Sequence, residues 1–404
     1  MATVFKWLDY SDHERRKALE VIDLFQEQDT RDELGIGAIR DAFADLLFPG
    51  TSTIQTRAKY FLFIPWIYLD LERRAIPSAT ISGQARANEI KLIDALAESG
   101  DADGTIGIEA RASLKRLASN IYWQGLADWG IRLCPDSQDQ YHRHIDAFYL
   151  RRGSQLKTDD GELIDARLAR NWHAGLPAQP SDFPKKASFQ LSRREAEYFL
   201  DRILSRAPQT LLAFLVDRGR LVSGVDFPWQ HPQFAGFSAQ VRLQLNHGRL
   251  FSQIIHGASL LYNLMLSEAA TLEDRIGEYR ERLLEWARAR GEQADKLAHW
   301  DRQQFWAIVA GIGRPVSTGT RRFVDSWIDL ALPSQSIADD QRARPLIEAR
   351  ERALKGSQAR LANPRALERW NGAAGTAQLN YRWTVSHRII SDIQRGLARE
   401  AADA

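Results

Sequence analysis

Leu250-Phe-Ser-Gln-Ile-Ile-His-Gly-Ala-Ser-Leu-Leu-Tyr-Asn-Leu-Met265 is the stretch that decides the fold class. Leu250, Phe251, Ile254, Ile255, Ala258, Leu261 and Met265 recur at steps of three and four, which stacks them on one helical face. The spacing predicts a long, amphipathic or largely buried helix. The same period recurs on both sides. Before it, Ser192-Arg-Arg-Glu195 is a capping box, in which the Ser hydroxyl and the Glu carboxylate satisfy backbone N–H groups at a helix start. Leu191 sits where a hydrophobic staple would begin, and Phe199, Leu200, Ile203 and Leu204 follow on one face. After it, Thr271-Leu-Glu-Asp274 starts another helix. Val385, Ile389, Ile393 and Leu397 mark a last one in four-residue steps, with Arg388, Asp392 and Arg395 on other faces.

The N-terminal part reads the same way. Ser11-Asp-His-Glu14 and Thr30-Arg-Asp-Glu33 are further capping boxes. Leu19, Ile22 and Phe25 follow the first; Ile36, Ile39, Phe43, Leu46 and Leu47 follow the second. Phe48-Pro49-Gly50 stops that helix, because Pro lacks the N–H and disfavours an α conformation before it. Ser52 or Thr53 is then expected to cap a segment running through Arg57 and Tyr60 to Pro65. Residues 108–131 read as two short helices, marked by Leu114 and Leu117 and then by Ile121, Leu126 and Trp129, with Gly130 as a left-handed cap. Two helices in that order would suit a helix-turn-helix or winged-helix-like module. The overall expectation is a mainly α, multi-helical protein.

Residues 151–190 differ. Lys157-Thr-Asp-Asp-Gly161 and Pro177 to Lys186 are polar and turn-rich, with short strands expected at Leu163 to Leu168. The reading is an N-terminal helical domain (1–135), a polar excursion (136–190) and a C-terminal helical domain with a basic end (191–404). No repeat of fixed period is apparent.

Composition narrows the setting. Of 404 residues, 44% are hydrophobic and 26% charged, as in ordinary folded proteins. The single cysteine, Cys134, precludes an intrachain disulfide and fits a reducing compartment. The first ten residues lack a long apolar core and a small-residue cleavage site. The longest apolar run, Tyr60 to Leu69, is broken by Pro65 and falls short of the ~20 residues a spanning helix needs. The cytoplasm is the expected location, with no membrane partner. Net charge is only +2, but from residue 341 onward twelve basic residues face six acidic ones. The C-terminal part is therefore basic and the rest mildly acidic.

Motifs for catalysis are weak. The sequence has neither a Gly-x-Ser-x-Gly elbow nor a GxxxxGK[ST] loop. Gly35-Ile-Gly37 lacks the rest of a dinucleotide fingerprint; it suits close packing at a helix start, which is also a place that can hold an anion. His142, His144 and Asp146 are two apart, so on a helix they diverge and make a poor metal site. His247 and His256 read as core or surface histidines. Asp70 with Glu89-Ile-Lys91 matches the acid-acid-Lys pattern of a metal-dependent nuclease, in a helical context without strands to align it. No cofactor and no metal are expected.

Two constellations suit contact surfaces. In the first, Arg40-Asp41 with Gln55, Thr56, Arg57, Lys59 and Tyr60 could bind an anion or partner, or could hold a buried Arg–Asp pair that locks two helices. In the second, Arg365, Arg369-Trp370, Tyr381-Arg382-Trp383 and Arg388 interleave cations with aromatics, and Arg321-Arg322 adds to them upstream. Arg grips phosphate bidentately and aromatic faces stack bases, which suits DNA or RNA. The alternative is an aromatic core with Arg stems laid over it.

Asp32-Glu-Leu-Gly-Ile-Gly-Ala-Ile-Arg-Asp41, Leu47-Phe-Pro-Gly-Thr-Ser52 and Thr56-Arg-Ala-Lys-Tyr-Phe-Leu-Phe-Ile-Pro-Trp66 form a long and specific block. Ile121-Tyr-Trp-Gln-Gly-Leu126, Arg360-Leu-Ala-Asn and Tyr381-Arg-Trp383 add looser matches. Together they resemble an uncharacterised bacterial family known only as a domain of unknown function, over nearly the whole chain. The resemblance implies genes beside those for a helicase fused to a phospholipase-D-like nuclease, in anti-phage defence loci. It implies a helicase–nuclease partner and supplies no catalytic residues. The expected function is a non-catalytic subunit of a multi-protein defence system that binds this partner, nucleic acid or both. A divergent metal-dependent nuclease and a DNA-binding regulator are the alternatives.

Overall fold

The structure, a computed structural model, describes residues 32–153, 170–313, 315–333 and 336–399. In chain order the α-helices are α1 (Gly37–Leu47), α2 (Tyr60–Arg73), α3 (Ser78–Glu98), α4 (Ala118–Asp128), α5 (Gln138–Gly153), α6 (Arg193–Arg206) and α7 (Leu211–Arg218). They continue with α8 (Ala239–Ala269), α9 (Glu273–Gly291), α10 (Ala294–Ala298), α11 (Arg302–Ala310), α12 (Thr318–Ala331), α13 (Ala343–Lys355), α14 (Pro364–Leu367) and α15 (Trp383–Leu397). The described residues contain no strand beyond an isolated bridge between Arg132 and Trp172. The chain is mainly α, as its hydrophobic period demands. No helix among the described residues is long and apolar enough to cross a membrane.

The described residues divide into two compact units, each drawn from separate stretches of sequence. Those within 1–43 and 245–379 form one, and those within 44–244 and 380–404 the other. The 136–190 stretch, expected as an excursion, contributes the sixteen-residue helix α5, which packs on α3.

In the first unit, Phe251 of α8 stacks on Phe305 of α11 at 5.2 Å, and Phe305 stacks on Phe43 at 5.8 Å. The indole N–H of Trp327 on α12 donates to the Ile254 carbonyl at 2.8 Å. Phe251, Ile254, Ile255, Ala258 and Leu261 of the expected face are buried, whereas Leu250 and Met265 are half-buried; Leu260, Tyr262, Asn263 and Leu264 are buried as well, so this part of the helix is largely buried on all sides. The start of α1 shows how Gly35-Ile-Gly37 is used. Asp32 accepts from the Ile36 and Gly37 amides, both at 2.6 Å, so the anion at this helix start is the chain's own carboxylate. Gly35 has φ +67°, and a Cβ there would collide with the guanidinium of Arg350. Arg350 in turn donates to the Leu34 and Gly35 carbonyls and to Thr320 Oγ1. Gly35→Ala should therefore destabilise this unit by at least ~1–2 kcal/mol, from left-handed backbone strain alone. Urea unfolding checks this, and an unchanged midpoint would remove the argument.

In the second unit, α2 packs on α3 and α4, and α15 packs on α6 and α7. Helix α2 begins at Tyr60 and continues through Pro65 to Arg73, where the sequence suggested a start near Ser52 and an end at Pro65. Pro65 removes one hydrogen bond, but residues 60–68 are buried, and packing of that apolar surface outweighs the loss. Ser192 and Glu195 form the expected capping box, and Gly130 takes the left-handed conformation after α4. Residues 108–131 hold a three-residue 3-10 turn, Arg111–Ser113, and the single helix α4. That region lacks the helix pair on which a helix-turn-helix reading depended. The capping residues Ser11 and Thr30 and the strands expected at 163–168 lie outside the described residues.

Candidate functional site

The arginine–aromatic residues near the C-terminus do not form one surface element. Tyr381 and Trp383 belong to the second unit and are 1% exposed. Trp383 Nε1 donates to the Val225 carbonyl at 2.7 Å, and its ring lies 5.9 Å from Phe48. Between them, Arg382 donates to Asp45 Oδ1 at 2.6 Å and to the Thr51 carbonyl at 2.8 Å, with its side chain 11% exposed. Arg382 is thus a structural ion pair and is withdrawn as a contact for nucleic acid. Tyr381 and Arg382 have φ +55° and +66°, which turns the chain sharply into α15. Arg388 is half-buried on α15.

The remaining members lie in the first unit. Trp370 is buried, whereas Arg321, Arg322, Arg365 and Arg369 are exposed. Arg321 lies over the Trp306 ring at 5.2 Å and 3.8 Å from Asp325, which also accepts from Trp306 Nε1. Arg322, Arg365 and Arg369 have no carboxylate partner among the described residues.

The Arg40–Lys59 constellation is mostly scaffold. Arg40 pairs with its neighbour Asp41 at 3.1 Å. The Arg–Asp lock that the sequence suggested is made instead by Arg57. Arg57 Nε and Nη2 donate to the two oxygens of Asp392 at 2.9 and 3.2 Å, and Nη1 reaches Asp101 and the Asp103 carbonyl. Desolvation opposes the charge, but the Asp392 and Asp101 carboxylates outweigh it, so the guanidinium is held above its ordinary pKa. Lys59 Nζ donates to the Gln190 carbonyl at 2.6 Å and pairs with Glu195 at 3.0 Å. Tyr60 is buried, and its hydroxyl accepts from the Ile106 amide. Gln55 bonds the Gly50 carbonyl and Thr56 the Gly104 carbonyl.

The groups examined for chemistry are likewise engaged. His142 contacts the Tyr68 hydroxyl, His144 contacts Asp136, and Asp146 accepts from Ser78. On α5 these three diverge to separate partners. His247 accepts from Trp300 Nε1 at 2.9 Å and meets Gln304 at 3.0 Å. Asp70 pairs with Arg74. Glu89 is buried and accepts from the Ser119 amide and hydroxyl at 2.9 and 2.6 Å. Burial pushes its carboxyl up to about 7. Glu72, also raised by burial, accepts from Tyr141, Asn171 and Trp172.

One feature escaped the sequence reading. In the first unit a cavity of about 240 Å³ lies along α8 and α9. Arg282, Trp286 and Arg290 line it in four-residue steps along α9, and Gln253 and His256 line it from α8. Gly257 brings the helices together, since a Cβ there would collide with the Trp286 ring. Trp286 Nε1 donates to the Gln253 carbonyl at 2.7 Å. Arg290 lies over the Trp286 ring at 5.3 Å and donates to the Ala331 carbonyl. Burial pushes His256 down to about 4, leaving a neutral ring at pH 7. Its Nε2–H donates to the Thr376 carbonyl at 3.0 Å, so Nδ1 is an acceptor. Arg282 donates to the same carbonyl at 3.2 Å. The four-residue Arg-Trp-Arg stripe was the available sequence signal.

A mainly helical protein, tied together by buried ion pairs and carrying a cationic, aromatic cavity, is the class these features define. The chain belongs to the family of unknown function DUF6361, whose sequence model matches residues 2–396. No curated protein and no solved structure matches it.

Proposed function

We propose that the chain is a non-catalytic subunit of a multi-protein anti-phage defence system, holding nucleic acid for a helicase–nuclease partner that performs the chemistry. The observation that carries this reading is the set of exposed arginines in the first unit. Arg322, Arg365 and Arg369 have no carboxylate partner among the described residues, while buried arginines such as Arg57 and Arg382 are paired. Exposed guanidinium groups suit phosphates, which they bind bidentately without reading sequence. The defence setting and the partner are what the family resemblance of the sequence implies. The reading of the chain as non-catalytic is supported by the structural engagement of Glu89, Glu72 and the histidines described above. A metal-dependent nuclease is less favoured, because Asp70 is paired to Arg74 and Glu89 is bonded to Ser119.

Duplex DNA of random sequence tests the proposal. Binding should weaken steeply with salt, and replacing Arg322, Arg365 and Arg369 by Gln together should reduce the slope of log K against log salt by about 3, close to 0.9 for each lost phosphate contact. Filter binding between ~50 and ~200 mM salt measures it. An unchanged slope would overturn the assignment of these residues. Failure to bind DNA or RNA at low salt would overturn the nucleic-acid role.

A further inference from the structure

We propose that the start of α12 seats the terminal phosphate of a nucleic-acid strand, held by the amides of Thr318 and Gly319 and by Nη1 of Arg350. This site serves the nucleic-acid-holding role proposed above and rests on that reading, adding the place where a strand ends.

The guanidinium comes first. Arg350 of α13 is 8% exposed. Its Nε donates to the Leu34 carbonyl, and its Nη2 donates to the Gly35 carbonyl and to Thr320 Oγ1. Nη1 has no hydrogen-bond partner among the described residues, and no carboxylate there pairs with Arg350. The carboxylate that acts on it is Asp32, whose two oxygens are taken by the Ile36 and Gly37 amides. Glu351, next to it on α13, accepts from Tyr262, Lys355 and the Arg360 and Leu361 amides, and Glu33 pairs with Lys355 and Arg360. Burial lowers the Arg350 pKa, and Asp32 offsets this only in part. A buried cation without a hydrogen-bonded anion is costly, and an anion at Nη1 relieves that cost.

Nη1 faces a helix start. A Cβ on Gly319 would lie 3.7 Å from Nη1 and 3.9 Å from Ser317 Oγ. Side chains on a helix lean toward its N-terminus, so this position is at the mouth of α12, and glycine leaves it open. Ser317 caps the helix by accepting from the Thr320 amide at 3.1 Å. The Thr318 and Gly319 amides, first and second in the helix, have no carbonyl within it to bond and no other partner among the described residues. Helix α12 has 14 residues and no acidic residue in its first turn, so nothing in that turn offsets its N-terminal positive charge. Ser317, Thr318 and Gly319 are exposed, which gives a ligand access.

The donors select the anion. Two backbone N–H groups and the two N–H bonds of Nη1 border the open position. A phosphodiester offers them two free oxygens and one negative charge. A terminal phosphate offers three oxygens and a charge of about −1.5 to −2 at pH 7, and so gains most from this set. Arg322, four residues on from Thr318, lies one turn along the same face, exposed and without a carboxylate partner among the described residues. It suits the next phosphate of the strand.

Fluorescence anisotropy of the full chain with oligothymidylate of about ten nucleotides, labelled on an internal base, tests the site. The strands carry a 5′-phosphate, a 3′-phosphate or hydroxyls at both ends. One phosphorylated strand should bind at least tenfold tighter than the hydroxyl-ended strand, and millimolar inorganic phosphate should erase that advantage. Gly319→Ala should lose the advantage, because its methyl group fills the open position. That methyl meets Nη1 at an ordinary contact distance, so the thermal midpoint should stay level or rise. Thr318→Glu should also lose the advantage while raising the midpoint, since its carboxylate competes for the free amides and complements the helix dipole. A merely structural helix start would not couple higher stability to weaker end binding. Equal affinity for the three strands, each falling with salt, would overturn this inference and leave the arginine surface standing. No binding of any strand would overturn both. An end preference that survives in both variants would overturn the placement at α12. Saturable binding of inorganic phosphate or a phosphoserine peptide, without an end preference among the strands, would assign the position to another phosphate carrier and overturn the strand.

Discussion

Asp392→Ala is expected to destabilise the second unit by about 3–5 kcal/mol, because it strands a buried guanidinium. Asp392 accepts three hydrogen bonds, from Arg57 Nε, Arg57 Nη2 and the Ala58 amide. The side chains of Arg57 and Asp392 are 10% and 4% exposed. Asp101, at 3.3 Å and 30% exposed, offers Arg57 only a second, wetter partner. The ion pair joins residues 335 apart in sequence, so its loss removes a tie between α15 and the segment leading into α2. Replacing both partners with apolar residues, as in Arg57→Met with Asp392→Leu, should recover much of the loss, since no charge is then left buried. Native-state hydrogen exchange measures the effect unit by unit. Amides of α6 and α15 should lose protection in Asp392→Ala and regain much of it in the double variant. Unchanged protection in the single variant would make the pair a bystander.

That pair also marks the limit of what the sequence discloses. The helices are legible because each records its own period: Phe251, Ile254, Ile255 and Ala258 fix a buried face within one stretch. The Ser192–Glu195 capping box is local too. Arg57 and Asp392 hold no such record, since nothing in a basic–acidic pair hundreds of residues apart distinguishes it from many others. The division into two units, each drawn from separate stretches, is hidden for the same reason. Tyr381-Arg382-Trp383 reads equally as surface or core. Its outcome rests on two left-handed residues that are not glycine and on Asp45, far earlier in the chain. The cavity was half legible. Arg282, Trp286 and Arg290 declare a stripe, but Gln253, His256 and Gln378 reach it from other segments.

Glu89→Gln carries the other large effect, and it appears as a change with pH. The folded carboxyl is raised by burial to about 7 from an ordinary 4.5. A raised acid contributes stability that is fully present below pH 4.5 and lost as pH rises through 7. Over that interval the wild type loses roughly 3 kcal/mol from this group, at about 1.4 kcal/mol per pH unit. Gln does not titrate. It keeps an acceptor for the Ser119 amide, and its altered contact with the Ser119 hydroxyl adds an offset that does not vary with pH. The stability of Glu89→Gln relative to the wild type should therefore grow by roughly 3 kcal/mol between pH 4 and pH 8. Urea midpoints across that range measure it, and parallel curves for the two proteins would show that Glu89 is not the titrating group. A full pH effect in Glu89→Gln would thus identify Glu89 as a buried carboxyl that holds α3 to the start of α4 through the Ser119 amide and hydroxyl.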